Sequence, residues 1–267
     1  MTEVHPTAVV AAGAELGQGV AIGPYCVVGG EVAIGDGTRL MSHVVVDGCT
    51  RIGADCRLFP FAAIGTQTQD LKYSGARTVV EIGDRTTLRE YVTVNSGTEE
   101  GEVVAVGADC HIMAYCHVAH GCRIGNGVIM ANASNLAGHI TVEDCAVIGG
   151  LTGIHQFVRI GTMCMVGGMS RVTQDCPPYM MNVGVPCEVT GINSVGLRRR
   201  GVTAGARSAL KKAYHILFRE NLAMNAAVER ARREVESGPE IERLLAFMTS
   251  SRRGVCGSRG SGAESNV

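Results

Sequence analysis

Residues 106–172 read VGADCHIMAYCHVAHGCRIGNGVIMANASNLAGHITVEDCAVIGGLTGIHQFVRIGTMCMVGGMSRV. Every sixth residue is aliphatic or Met: Val106, Ile112, Val118, Ile124, Met130, Leu136, Val142, Ile148, Ile154, Ile160, Val166 and Val172. The same count runs back to Val4 and fails only at Asp70, Ala76 and Glu100. A helix repeats at 3.6 residues and a strand at 2, so a strict six is neither. A hexapeptide period marks a parallel β-helix.

Each hexad reads as one short strand and a bend. Gly often follows the aliphatic residue, as at Gly17, Gly35, Gly53, Gly107 and Gly125. There it serves a positive φ or a close backbone approach. Two residues before the aliphatic one sits a small or β-branched residue, so both tracks point to the same, inner face. Cys26, Cys56, Cys110, Cys116, Cys122 and Cys164 lie on that small track and read as small core hydrophobes. Three hexads close one triangular coil. Successive coils stack at the strand spacing, ~4.8 Å, and each contacts mainly its neighbours.

The repeats assign residues 1–190 to the β-helix, with loops protruding near 66–81 and 96–103. Rigid scaffolds display function on such loops. Pro177-Pro178 stops the strands, and a helical domain is expected over 191–251. Its stripes are Ala206, Leu210, Ala213 and Leu217; then Met224, Val228, Ala231 and Val235; then Ile241, Leu244, Leu245 and Met248, after Pro239. The Gly-, Ser- and Arg-rich stretch 252–267 is expected to be a disordered tail.

The chain carries 24 Lys and Arg against 25 Asp and Glu. That balance argues against a general nucleic-acid binder. No apolar run is long enough to span a bilayer, so no membrane insertion is expected. The first residues, MTEVHPT, lack a signal peptide, and a cytoplasmic protein with reduced cysteines is expected. No CxxC pair occurs among the 11 Cys, so no metal site is expected.

The coil of three hexads fixes columns. His120, Gly138 and Gln156 form one. Ala119, Ala137 and His155 flank it on one side, and Gly121, His139 and Phe157 on the other. His117 lies just upstream. Gly138 over His120 leaves a notch and a backbone N–H. Imidazoles gathered this way suit general base catalysis near neutral pH, or zinc if three nitrogens converge. His5 reads as part of an end cap, His43 as a packed or solvated ring, and His111 as a surface residue. Arg198, Arg199 and Arg200 suit phosphate or carboxylate partners.

Several motifs resemble those of the UDP-N-acetylglucosamine acyltransferases. They are Gln69-Asp70-Leu71-Lys72-Tyr73, His117-Val118-Ala119-His120, Leu136-Ala137-Gly138-His139, His155-Gln156-Phe157, and Gly191-Ile192-Asn193 running on to Gly196-Leu197-Arg198-Arg199-Arg200. The resemblance spans nearly the whole chain. It implies a left-handed β-helix that forms a homotrimer with active sites between subunits. The implied reaction passes a fatty acyl group, usually 3-hydroxylated, from acyl carrier protein to the 3-position of UDP-N-acetylglucosamine, the first step of lipid A biosynthesis. The implied cofactor list is empty beyond the phosphopantetheine thioester of that co-substrate. His120 would be the general base, and the Gly138 N–H would steady the oxyanion. Asp70, Lys72, His117, His139, His155 and Gln156 would line the cleft. Asn193, Arg199 and Arg200 would meet the nucleotide, its phosphates or the carrier protein. Gly168 would bear on acyl-chain length. Two positions depart from the family: Gly121 stands where an acid can follow the catalytic His, and Val195 where an acidic nucleotide contact can occur.

Three other readings share the prism: a zinc carbonic anhydrase, an acetyl-CoA-dependent acetyltransferase, and a non-catalytic solenoid. The anhydrase leaves the Gln69–Tyr73 loop and the Arg-bearing helices without a role.

Overall fold

A computed structural model of the chain describes residues 2–257. Its strands are two to five residues long and pair into three sheets of eleven, nine and eight strands. Each repeat strand pairs in parallel with the third strand before and after it, so the chain winds as a three-sided prism. The register is the one that three hexads require: Glu3 faces Ala21, Ala33 faces Arg51, and His117 faces Asn135. The sixth-residue track fills the interior; Leu58, Ile64, Leu88, Ile112, Met130, Leu136, Ile148 and Ile160 are fully buried. The six track cysteines are buried with it.

The register lengthens twice. Ala63 faces Thr93, and Thr93 in turn faces His117. The first of these coils is two hexads longer than the rest, with the extra residues between Thr66 and Val79. The second is one hexad longer, with the extra residues between Asn95 and Val103. Both insertions are whole hexads, which is why the aliphatic count resumes in phase beyond each loop.

The glycine after the aliphatic residue serves close approach rather than turn geometry. A Cβ on Gly35 would lie 2.6 Å from the Gly53 carbonyl carbon, and one on Gly107 equally near that of Gly125. The positive φ falls two residues later, and bulky residues occupy it at the corners. Tyr25, His43, Phe61, Tyr91 and Tyr115 hold φ between 58° and 66°. Their rings stack up one corner at 4.9–5.0 Å. His43 is thus a packed ring in an aromatic ladder.

After the prism, an antiparallel hairpin, Met180–Val183 with Glu188–Ile192, closes the eleven-stranded sheet. Four helices follow: α1 Ser194–Arg199, α2 Ala204–Phe218, α3 Met224–Glu234 and α4 Pro239–Ser250. The three expected apolar stripes face inward on α2, α3 and α4. The short α1 falls on the Arg run, where no stripe announced a helix. α4 docks on the prism: Arg159 lies over the Phe247 ring at 4.3 Å and donates to Ser250 at 3.0 Å.

The expected tail differs at its start. Residues 252–257 return to the prism, where Val255 bridges Asp175 and Cys256 is buried. The cause is a buried carboxylate. Asp175 accepts from Ser251 Oγ at 2.8 Å and from the Arg159 N–H at 2.8 Å, and its backbone pairs with Gly254 and Cys256. The rest of that tail, 258–267, lies outside the described residues. No described helix is long and apolar enough to cross a membrane.

Candidate active site

The two loops meet at one corner of the prism, beside the Gly121–His139–Phe157 column. Asp70 turns the first loop: its Oδ1 accepts from the Lys72 N–H at 3.0 Å, a local turn that Asp favours. That N–H holds the Asp70 carboxyl below the usual carboxylate range, helped by the charges of His120 and Lys72. In the second loop Glu102 Oε2 accepts from the Thr98 N–H at 2.6 Å. Thr98 Oγ1 faces Asp70 Oδ2 at 3.5 Å and Thr68 at 3.5 Å, so the loops support each other.

His120 sits where these loops converge. Its Nε2 is 3.7 Å from Asp70 Oδ2, too far for a direct hydrogen bond but close enough for one hydroxyl oxygen to touch both. Its Nδ1 is sealed inside the protein without a partner, so Nε2 is the ring nitrogen that faces outward. The notch over it is present as the column arithmetic requires. A Cβ on Gly138 would lie 2.3 Å from His120 Cε1 and 2.5 Å from Nε2. The Gly138 carbonyl accepts from Phe157, while its N–H has no acceptor among the described residues.

His139 stands edge-on to His120 at 4.8 Å and stacks on Phe157 at 4.9 Å. Its Nδ1 pairs with Glu102 Oε1 at 3.3 Å. Gly121 explains how. A Cβ there would meet His139 Nδ1 at 2.3 Å and Glu102 Oε1 at 2.5 Å. The acid missing at 121 is thus supplied from the second loop, into the space that the glycine vacates. Glu102 is the site residue that sequence reading passed over. Its signal was an acid in an excursion, with a glycine where an acid was expected.

His117 shares a 2.7 Å hydrogen bond with Thr93. Burial, and secondarily the charge of His120, hold it below the ordinary imidazole range, so it is neutral at pH 7. From His117 a groove of about 380 Å³ runs across four coils past Ala119, Ala137, Gly153 and Arg171. His155 lies at its edge and Gln156 next to it. Arg253 from the returning tail reaches His155 Nδ1 at 3.3 Å, a contact that sequence reading missed. Gly168 is on the neighbouring corner, beside the exposed Met169.

Asn193, Arg199 and Arg200 are not brought to His120 within this chain. Asn193 caps α1, accepting from the Gly196 N–H at 3.1 Å and donating to the Met163 carbonyl at 2.9 Å. Arg200 donates to the Gly127 carbonyl at 3.2 Å, on the third corner. Exposed Val195 makes no polar side-chain contact.

Glu102, His120 and His139 also offer three donor atoms within 4.8 Å of one another, a set that zinc can use. Two of the three are already each other's partner, and the third faces Asp70.

Residues 175–256 match the family described as UDP-N-acetylglucosamine O-acyltransferase, domain 2. Residues 104–138 match the bacterial transferase hexapeptide repeat. An acyl-(acyl-carrier-protein)–UDP-N-acetylglucosamine O-acyltransferase of Verminephrobacter eiseniae is 45% identical over 96% of this chain and 99% of its own. The protein so named in Thermodesulfovibrio yellowstonii is 49% identical over 96% and 100%. The crystal structure of a UDP-N-acetylglucosamine acyltransferase from Bacteroides fragilis superposes with a TM-score of 0.92, at 37% identity, covering 94% of this chain and 99% of that one. Prisms of opposite hand cannot superpose so closely, so this β-helix has the left-handed wind of those structures.

Proposed function

The chain belongs to the acyl-(acyl-carrier-protein)–UDP-N-acetylglucosamine O-acyltransferase family, and on that premise we propose how its residues divide the reaction. It moves a fatty acyl group from the thioester of acyl carrier protein to UDP-N-acetylglucosamine. The acceptor is the sugar 3-hydroxyl, the favoured acyl group is 3-hydroxylated, and the product enters lipid A biosynthesis.

The 3-hydroxyl oxygen sits between His120 Nε2 and Asp70. His120 takes its proton as the oxygen attacks the thioester carbon. The carbonyl oxygen becomes an oxyanion and accepts from the unoccupied Gly138 N–H. The C–S bond then breaks, and the proton held by His120 passes to the pantetheine thiolate. The observation that carries this reading is the pairing of an accessible Nε2 with a free backbone donor in one notch. The groove past Ala119 and Ala137 takes the acyl chain, with Gly168 setting how far it extends. Lys72, His117, His139, His155 and Gln156 line the cleft.

The active unit is a cytoplasmic homotrimer. Two features support the trimer. Asn193, Arg199 and Arg200 lie away from the His120 corner, so a neighbouring subunit must bring the nucleotide-binding half. An apolar ridge also runs up the ladder corner, with Phe61 46%, Leu151 66% and Met169 72% exposed.

Donor choice tests the activity. Purified protein with UDP-N-acetylglucosamine is expected to consume 3-hydroxyacyl thioesters of acyl carrier protein and to ignore acetyl-CoA. The reverse preference would assign the chain to the acetyltransferases, and turnover of carbon dioxide alone to the anhydrases.

Glu102 gives a second test. Glu102→Gly should lower kcat about tenfold, ~1.4 kcal/mol of barrier, because His139 loses its partner. Gly121→Asp alone should also lose activity, since its side chain enters the space that Glu102 fills. The double variant should recover part of the loss: Asp tolerates the positive φ of position 121 and replaces the carboxylate, but its Cβ still displaces the His139 ring, whose Nδ1 would lie 2.3 Å away. Additive losses in the double variant would show that the two positions are independent.

A further inference from the structure

Most cysteines of the inner track act singly. Each hands its thiol proton to a carbonyl of the next coil: Cys56 to Gly83 at 3.2 Å, Cys110 to Gly125 at 3.1 Å, Cys116 to Ala131 at 3.1 Å and Cys122 to Ala137 at 3.1 Å. Cys176, Cys187 and Cys256 behave differently. Their Sγ atoms lie within 4.8 Å of one another, and all three residues are buried. They come from three separate pieces of chain. Cys176 is on the last coil, bridging Ile160; Cys187 is in the hairpin bend before Glu188; Cys256 is on the tail segment that pairs with Asp175.

We propose that Cys176, Cys187 and Cys256 form a zinc site that fastens the last coil, the hairpin and the C-terminal tail together. Zn–S bonds of about 2.3 Å at tetrahedral angles place two sulfurs ~3.8 Å apart. Cys176 and Cys256 stand at 3.8 Å. A disulfide needs its sulfurs at ~2.05 Å and would leave the third thiol over. Three thiolates form a soft donor set that suits zinc. As the three S–Zn bonds form, the three thiol protons leave to solvent.

A cavity gives access from one side. Cys187 lines a cavity of about 420 Å³ with Gln174, Pro186, Glu188 and Gly257. The metal enters there, and a water completes its shell. Cys164, the nearest other thiol, accepts from the Asn182 amide at 3.1 Å. Sequence spacing hid the site because its ligands are scattered along the chain and share no short motif. The site also fixes the segment that carries Arg253 to His155.

Metal analysis of the full-length protein decides this. Protein purified from cells under reducing, chelator-free conditions should carry about one zinc per chain. Cobalt(II) added to the metal-stripped protein should give the thiolate-to-cobalt charge-transfer band. Cys187→Ser and Cys256→Ser should each lose most of the zinc, while Cys26→Ala keeps it. If either serine variant fails to fold, the wild-type chain still answers: chelation should lower its melting temperature by several degrees and expose the tail to protease. Three outcomes would overturn the proposal: wild-type protein without zinc and without the cobalt band, zinc content unchanged in both serine variants, or a Cys176–Cys256 disulfide in protein kept reduced.

Discussion

Replacing His120 with Ala should abolish acyl transfer while leaving the assembly intact. The expected loss in kcat is a hundredfold to ten-thousandfold, ~2.7–5.4 kcal/mol of barrier, the usual contribution of a positioned general base. Truncation here removes a polar ring from the mouth of a notch, not a wall of the core. The sixth-residue track beneath, Val118 and Leu136, stays buried. Size-exclusion mass and melting temperature should therefore match the wild type. Under the proposed base role the KM for UDP-N-acetylglucosamine should move little, because a base would act on the hydroxyl alone. Turnover within about tenfold of wild type would remove His120 from the base role. A variant that no longer assembles would make the residue structural instead.

Gly138→Ala should be nearly as damaging by a different route. The added Cβ would sit 2.3 Å from His120 Cε1, 2.5 Å from Nε2 and 3.0 Å from Nδ1. Real carbon atoms do not approach that closely, so the ring must turn or the coil must shift. Turning is costly because Nδ1 is already enclosed. A displacement of about 1 Å in a reacting group costs on the order of a hundredfold in rate, and the same methyl crowds the oxyanion donor. The expected signature is a kcat lowered about a hundredfold with the fold unaltered. Gly191→Ala, where a Cβ would meet nothing within 4 Å, serves as the control and should stay near wild type. If Gly138→Ala also proved near-neutral, the notch would not be where the thioester reacts.

Much of the fold was legible because one physical constraint repeats. A triangular coil with a narrow interior needs a large apolar residue every sixth position, and Ile112, Val118 and Ile124 state that rule without ambiguity. Both loops could be located because they interrupt it at Asp70, Ala76 and Glu100. Their extents, 66–81 and 96–103, follow from the polar texture of those stretches, but the period says nothing of how each loop folds. The helical stripes of α2, α3 and α4 were visible at the helical period. The short α1 was not, having too few turns to show one.

The candidate site divides in the same way. His120, Gly138 and His139 follow from the stacking of one coil on the next, which local spacing determines. Glu102 belongs to a loop, where no periodic rule says which way a side chain faces. Its partnership with His139 depends on what Gly121 leaves open in space. Arg253 and the Cys176–Cys187–Cys256 cluster depend on contacts between distant segments. Asp175 supplies the reason that the tail returns, and an isolated Asp carries no such message in sequence.

The most direct test is a crystal structure of the assembled protein with the O-acylated sugar nucleotide bound. The sugar 3-oxygen should lie within hydrogen-bond distance of His120 Nε2, with the ester carbonyl turned toward the Gly138 N–H. The acyl chain should follow the groove past Ala137, and Arg199 or Arg200 of an adjoining subunit should reach the diphosphate. A product bound at another corner, or one whose ester faces away from Gly138, would contradict the account.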